Sequence, residues 1–110
     1  MTFEDHVRRA LDSLPPDLAA AMSNVDVVIE EEPPAGQPLL GLYQGVPLTR
    51  RSTAYAGVAP DKITIYRGPI ERMTGGNPEA LRSQVRRTVF HEIAHHFGIS
   101  DQRLVDIDRY

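Results

Sequence analysis

The chain is 110 residues long, 41% hydrophobic and 25% charged, with 12 Lys+Arg against 15 Asp+Glu and a formal net charge of −3. That balance belongs to an ordinary globular chain, excludes disordered, collagenous and membrane-spanning classes, and predicts a single domain over residues 1–110. With no cysteine present, disulfide frameworks, thiol nucleophiles and Cys-ligated metal sites are excluded, so a metal here must be held by His and carboxylate ligands.

The first residues, MTFEDHVRR, lack a basic start followed by an apolar run, and no apolar stretch is long enough to span a bilayer, so a cytoplasmic location without membrane association is expected. Phe3, Val7, Leu11 and Leu14 recur at helical spacing; Thr2 with Asp5 three residues on suits a capping box, and Pro15-Pro16 stops the pattern. This predicts a first amphipathic helix, with His6 on its exposed side. Asp17 to Ser23 suits one or two further turns. Val25 to Glu32, VDVVIEEE, reads as a strand with a solvated acidic end, and Leu39 to Tyr43 as a second strand. Thr49 to Asp61 has no period and is expected to be a long surface loop, followed by a third strand at Lys62 to Arg67. After Gly75-Gly76, Asn77 and Pro78 start a helix that runs unbroken to Phe97 and ends at Gly98. Ser100 can cap a last short helix held by Leu104 and Ile107.

Charge is uneven along the chain. Residues 1–49 hold 8 acids and 2 bases, whereas residues 50–110 hold 7 acids and 10 bases. Arg82, Arg86 and Arg87 share one helix and form a candidate phosphate patch, but the acidic total and the lack of interleaved aromatics argue against a nucleic-acid partner.

The chemistry concentrates in His91-Glu92-Ile93-Ala94-His95-His96-Phe97-Gly98-Ile99-Ser100-Asp101, which reads HExxHxxGxxD. On a helix with His91 at zero, His95 falls at about 40° and Glu92 at about 100°, on one side, so two imidazoles one turn apart can share a metal. Val85, Val89, Phe90, Ile93, Ala94 and Phe97 fill the opposite arc, which makes the helix a core element presenting a polar stripe. Gly98 allows the sharp turn that brings Asp101 back as a third ligand, leaving a fourth position for water as catalytic zinc sites do. Glu92 is then the general base and peptide-bond hydrolysis the reaction. His96 lies off the ligand stripe and is expected to be buried and hydrogen-bonded. Asp106 and Asp108 are fallback ligands. Tyr43, Tyr55, Tyr66 and Tyr110 are candidates for an oxyanion contact, and each is better explained by packing with a polar tip.

HEIAHHFGISD resembles the extended zinc signature of the metzincins, with Asp in place of the third His. LPPDLAAAMSNVDVVIEEEPP, LLGLYQGVPLTRRS, DKITIYRGPIER and HEIAHHFGISDQRL together resemble a small bacterial zincin-like family, minimal matrix-metalloprotease-like, across essentially the whole chain. The resemblance implies an α+β zincin-like fold: a small mixed sheet of about three strands packed on a long active-site helix, with short N-terminal and C-terminal helices. It further implies Zn2+ on His91, His95 and Asp101, with Glu92 as base. Nine residues follow Asp101, so the Met-turn of larger metzincins is not expected. In related zincins an edge strand pairs with extended substrate, a role open to Leu39–Tyr43 or Lys62–Arg67. The expectation is a monomeric zinc metallopeptidase acting on peptide or protein; the rival is a metal-stabilised peptide-binding or regulatory module on the same scaffold.

Overall fold

The computed structural model describes residues 1–20, 22, 24–45 and 61–98. In chain order these form α1 (Phe3–Asp12), α2 (Pro16–Ala20), β1 (Val25–Glu30), β2 (Gly41–Gln44), β3 (Asp61–Tyr66), α3 (Arg67–Thr74) and α4 (Pro78–Phe97), an α+β arrangement with one small mixed sheet. The expected loop residues from 49 to 60, and the short helix after Ser100, lie outside the described residues.

Local signals set the helix ends. The Thr2 hydroxyl accepts from the Asp5 N–H at 3.1 Å while the Asp5 carboxylate accepts from the Thr2 N–H at 3.0 Å, so two N–H groups at the start of α1 are satisfied. Phe3, Val7 and Ala10 of α1, with Leu14 beyond it, join the core. His6 does not face solvent as expected; it is only 7% exposed, because α1 packs its apolar side, with His6 at the edge of it, against α4. In α4 the Asn77 side chain accepts from the Ala80 N–H at 3.0 Å, and Gly98 ends the helix in the left-handed conformation at φ 66°, which glycine adopts without steric penalty. Val85, Val89, Phe90, Ile93 and Ala94 are buried as the wheel predicts.

Helix α3 has no counterpart in the sequence reading. Gly68-Pro69 looks like a turn after the third strand, yet Pro is tolerated in a first helical turn, where its missing N–H would be unpaired anyway. Ile70, fully buried, anchors α3 to the core. The acidic end of β1 is also more engaged than expected: Arg72 forks onto Glu32 at 2.8 and 2.9 Å, and Arg67 pairs with Glu31. These contacts are exposed, so solvent screens them and they add little to stability.

The strand order is β1-β3-β2. β1 runs parallel to β3, Val25 opposite Asp61 through Glu30 opposite Tyr66; β2 runs antiparallel, Gly41 opposite Ile65 through Gln44 opposite Lys62. β3 is therefore interior, with both hydrogen-bonding edges taken, and its Ile63 and Ile65 are fully buried. Of the two strands considered for substrate pairing, β3 is interior, and among the described residues only β2 keeps an outer edge. α4 lies against β2, β3, α1 and α3, and so joins the sheet to the helices. No helix among the described residues is long and apolar enough to cross a membrane.

Candidate active site

Two of the three expected metal ligands sit one turn apart at the C-terminal end of α4. The His91 and His95 rings are exposed, with centroids 4.8 Å apart and planes inclined by 55°, and neither has a hydrogen-bond partner among the described residues. Two neighbouring imidazoles with uncommitted ring nitrogens are a donor set that fits a divalent transition metal. Among the described residues no third His, Asp or Glu joins them; Asp101, Asp106 and Asp108 lie outside those residues, as do Tyr55 and Tyr110.

Glu92 departs from the simple wheel, which put it on the polar stripe with the two histidines. It is 6% exposed, because β2 crosses α4 at this point. The Tyr66 N–H donates to the Leu40 carbonyl at 3.0 Å, so strand alternation turns the backbone groups of Gly41 and Tyr43 away from β3. The Tyr43 N–H donates to the Glu92 carboxylate. Burial holds the pKa of Glu92 above the ordinary carboxylate value; the charges available to His95 and His91 and the Tyr43 hydrogen bond oppose that shift without cancelling it. A carboxylate held above its ordinary pKa, with a fixed amide on it, is suited to accept and release a proton.

Gly41 makes the crossing possible. A Cβ there would meet Thr88 Cγ2 at 2.9 Å and Glu92 Cγ at 3.0 Å. Gly41→Ala is expected to push the strand off the helix, lowering stability by about 1–3 kcal/mol in urea unfolding, as overpacking a tight contact does. Between β2 and α4 runs a cleft of about 320 Å3, with Leu39, Leu40 and Gly41 on one wall and Thr88, His91 and Glu92 on the other.

Beneath the histidines lies a buried polar cluster. Asp61 is 0% exposed and His96 1%. Asp61 Oδ2 accepts from the Tyr43 hydroxyl at 2.7 Å and lies 2.7 Å from His96 Nδ1. The Tyr43 ring stands edge-on to both His95 and His96, with centroids 6.4 and 5.9 Å away. The Tyr43 hydroxyl is thus committed to the core, and Tyr66 is buried with its pKa raised. Burial of His96 follows from its wheel position. Asp61, which the sequence places at the end of a surface loop, instead starts β3; its partner His96 is 35 residues away on another element, and no local pattern announces such a pairing.

A family model for zincin-like metallopeptidases matches residues 22–110, a span that takes in all three strands, α3, α4 and the HExxHxxGxxD segment. The chain belongs to the zincin-like metallopeptidase family. No curated protein matches it significantly. In this zincin-like chain the match starts after α1 and α2, so those two helices lie outside the part by which the family is recognised.

Proposed function

We propose that this protein is a zinc metallopeptidase that hydrolyses extended segments of peptides or proteins, with His91, His95 and Asp101 holding the metal and Glu92 as general base. The observation that carries the reading is the placement of Glu92 beside two exposed imidazoles, buried at the cleft and fixed by an amide of β2. Gly98 has the left-handed backbone that a return of the chain toward Asp101 requires. A zinc ion bound there supplies Lewis acidity and brings the pKa of its water toward neutrality. Glu92 takes a proton from the attacking water and delivers it to the departing amide nitrogen as the C–N bond breaks. Strand β2 aligns the substrate: the backbone of Gly41 faces outward beside the cleft, where an extended peptide can add to the sheet. The same reading has the protein acting as a cytoplasmic monomer on polypeptide rather than nucleic acid, in keeping with its net charge of −3.

The test pairs zinc content per chain with cleavage of an unstructured peptide pool, with and without a chelator. One zinc per chain and chelator-sensitive cleavage support the proposal; one zinc and no cleavage across pH leave a metal-stabilised peptide-binding module instead. Metal loading is also expected to raise the unfolding midpoint. At about 100 times its dissociation constant, zinc stabilises by about 2.7 kcal/mol, an increment that His91→Ala should remove when thermal unfolding is followed with and without the metal.

A further inference from the structure

A second cavity, of about 410 Å3, lies between α1 and the N-terminal half of α4. Its lining shares only Arg87 with the cleft, and α1, which forms one wall, lies outside the matched family region. Arg9 of α1 and Arg82, Arg86 and Arg87 of α4 bring four guanidinium groups to it, and among the described residues no Asp or Glu lines it. Among the described residues, no carboxylate pairs with Arg9, Arg82 or Arg87, whereas Arg8, on the next position of α1, is paired with Asp5. Arg86 is braced over the Phe90 ring at 4.8 Å.

His6 also lines the cavity, nine-tenths buried, and its Nδ1 has no hydrogen-bond partner among the described residues. A buried polar atom left unpaired is destabilising and calls for a partner. Burial, followed by the positive charges of the N-terminal amine, Arg9 and Arg82, holds the imidazole below its ordinary pKa, with Asp5 opposing. Among the described residues, the cavity therefore gathers cationic donors and one orphaned ring nitrogen with no carboxylate in its lining.

We propose that this cavity binds a small organic phosphate, its phosphoryl oxygens taken by the guanidinium groups of Arg9, Arg82 and Arg87, with His6 Nδ1 and the Ser83 hydroxyl completing the donor set. Guanidinium forks match phosphate oxygens in pairs, and the volume exceeds what a lone phosphate fills while lying within the range of small-molecule sites. A concave site between two helices, without stacking aromatics in its lining, fits a compact ligand better than a nucleic-acid strand.

The test is calorimetric titration of the zinc-loaded protein with inorganic phosphate, ADP, adenosine and a single-stranded RNA, with the His6 ring followed by NMR. The expected result is one site for phosphate and for ADP, no adenosine binding, and movement of the His6 ring signals. Arg82→Ala should weaken binding about tenfold, the loss of one charge-assisted contact, while Arg8→Ala leaves it unchanged. Arg82 is exposed, so its replacement is not expected to unfold the chain; Arg9→Gln on the opposite wall provides a second variant. Absence of phosphate and ADP binding at millimolar concentration overturns the proposal. So does binding unaffected by Arg82→Ala and Arg9→Gln, which would place the anion elsewhere, for example at the metal. RNA binding tighter than ADP, falling steeply with salt, would also overturn it and make this face a nucleic-acid surface. Cleavage of peptides is not read at any point, so failure of the peptidase proposal is separate.

Discussion

Glu92→Gln is expected to lower kcat/KM for peptide cleavage by about 10²–10⁴-fold, the usual contribution of a positioned general base, while zinc content stays at the parental level. Glutamine keeps the shape of the side chain and an oxygen to accept the Tyr43 N–H, so the cleft need not move. It cannot accept a proton at neutral pH. The measurements are zinc per chain and initial rates on the same peptide pool. Equal rates in the two proteins would remove Glu92 from the reaction.

The same substitution has an expected effect on stability of opposite sign. The pKa of Glu92 is raised on folding, mainly by burial, so the folded chain holds that proton more tightly than the unfolded chain. Stability from this group is thus lost as pH rises from the ordinary carboxylate value through the raised one, and the loss is complete above it. Glutamine carries no charge to bury. The metal-free Glu92→Gln protein should therefore unfold at a higher denaturant concentration than the metal-free parent at neutral pH, with the difference shrinking as pH falls below the carboxylate range. An inactive variant that is more stable than its parent is the signature of a group held at the cleft for chemistry rather than for packing.

What could be read from the sequence divides along physical lines. The ends of α1 and α4 were legible because Thr2 with Asp5, and Asn77 with Gly98, satisfy helix termini through contacts a few residues apart. The His91/His95 spacing was legible for the same reason. The burial of Glu92 was not, because it depends on β2 crossing α4 at Gly41, a contact between elements distant in sequence. The burial of His6 is not legible either, because it sits at the margin of the α1 stripe, where the packing angle against α4 decides exposure and the helical period alone does not. α3 was missed because Gly68-Pro69 carries a turn signal that the buried Ile70 overrides. The choice between the two strands likewise needs the sheet order, in which β3 is interior and, among the described residues, β2 is not.

Asp61 is where the greatest loss of stability is expected. Its carboxylate is fully buried and serves both the Tyr43 hydroxyl and His96 Nδ1 through one oxygen. Asp61→Ala strips both partners at once and leaves the buried His96 ring and the half-buried Tyr43 hydroxyl without that acceptor, so a loss of about 3–5 kcal/mol is expected, as for other buried hydrogen-bonded pairs broken on one side. Against a total of about 5–15 kcal/mol for a domain, that is enough to leave a measurable unfolded fraction before any denaturant is added. Tyr43→Phe removes only one hydrogen bond and should cost about 0.5–1.5 kcal/mol. If the cluster acts as a unit, the double variant will lose less than the sum of the two, and urea unfolding of all four proteins measures the coupling. Because Tyr43 also supplies the amide that holds Glu92, and its ring stands against His95, loosening it should reach the cleft. Tyr43→Phe is therefore expected to retain zinc but cleave more slowly than its small stability loss would explain, whereas additive stability losses with unchanged kcat would confine Asp61 and His96 to holding the sheet on the helix.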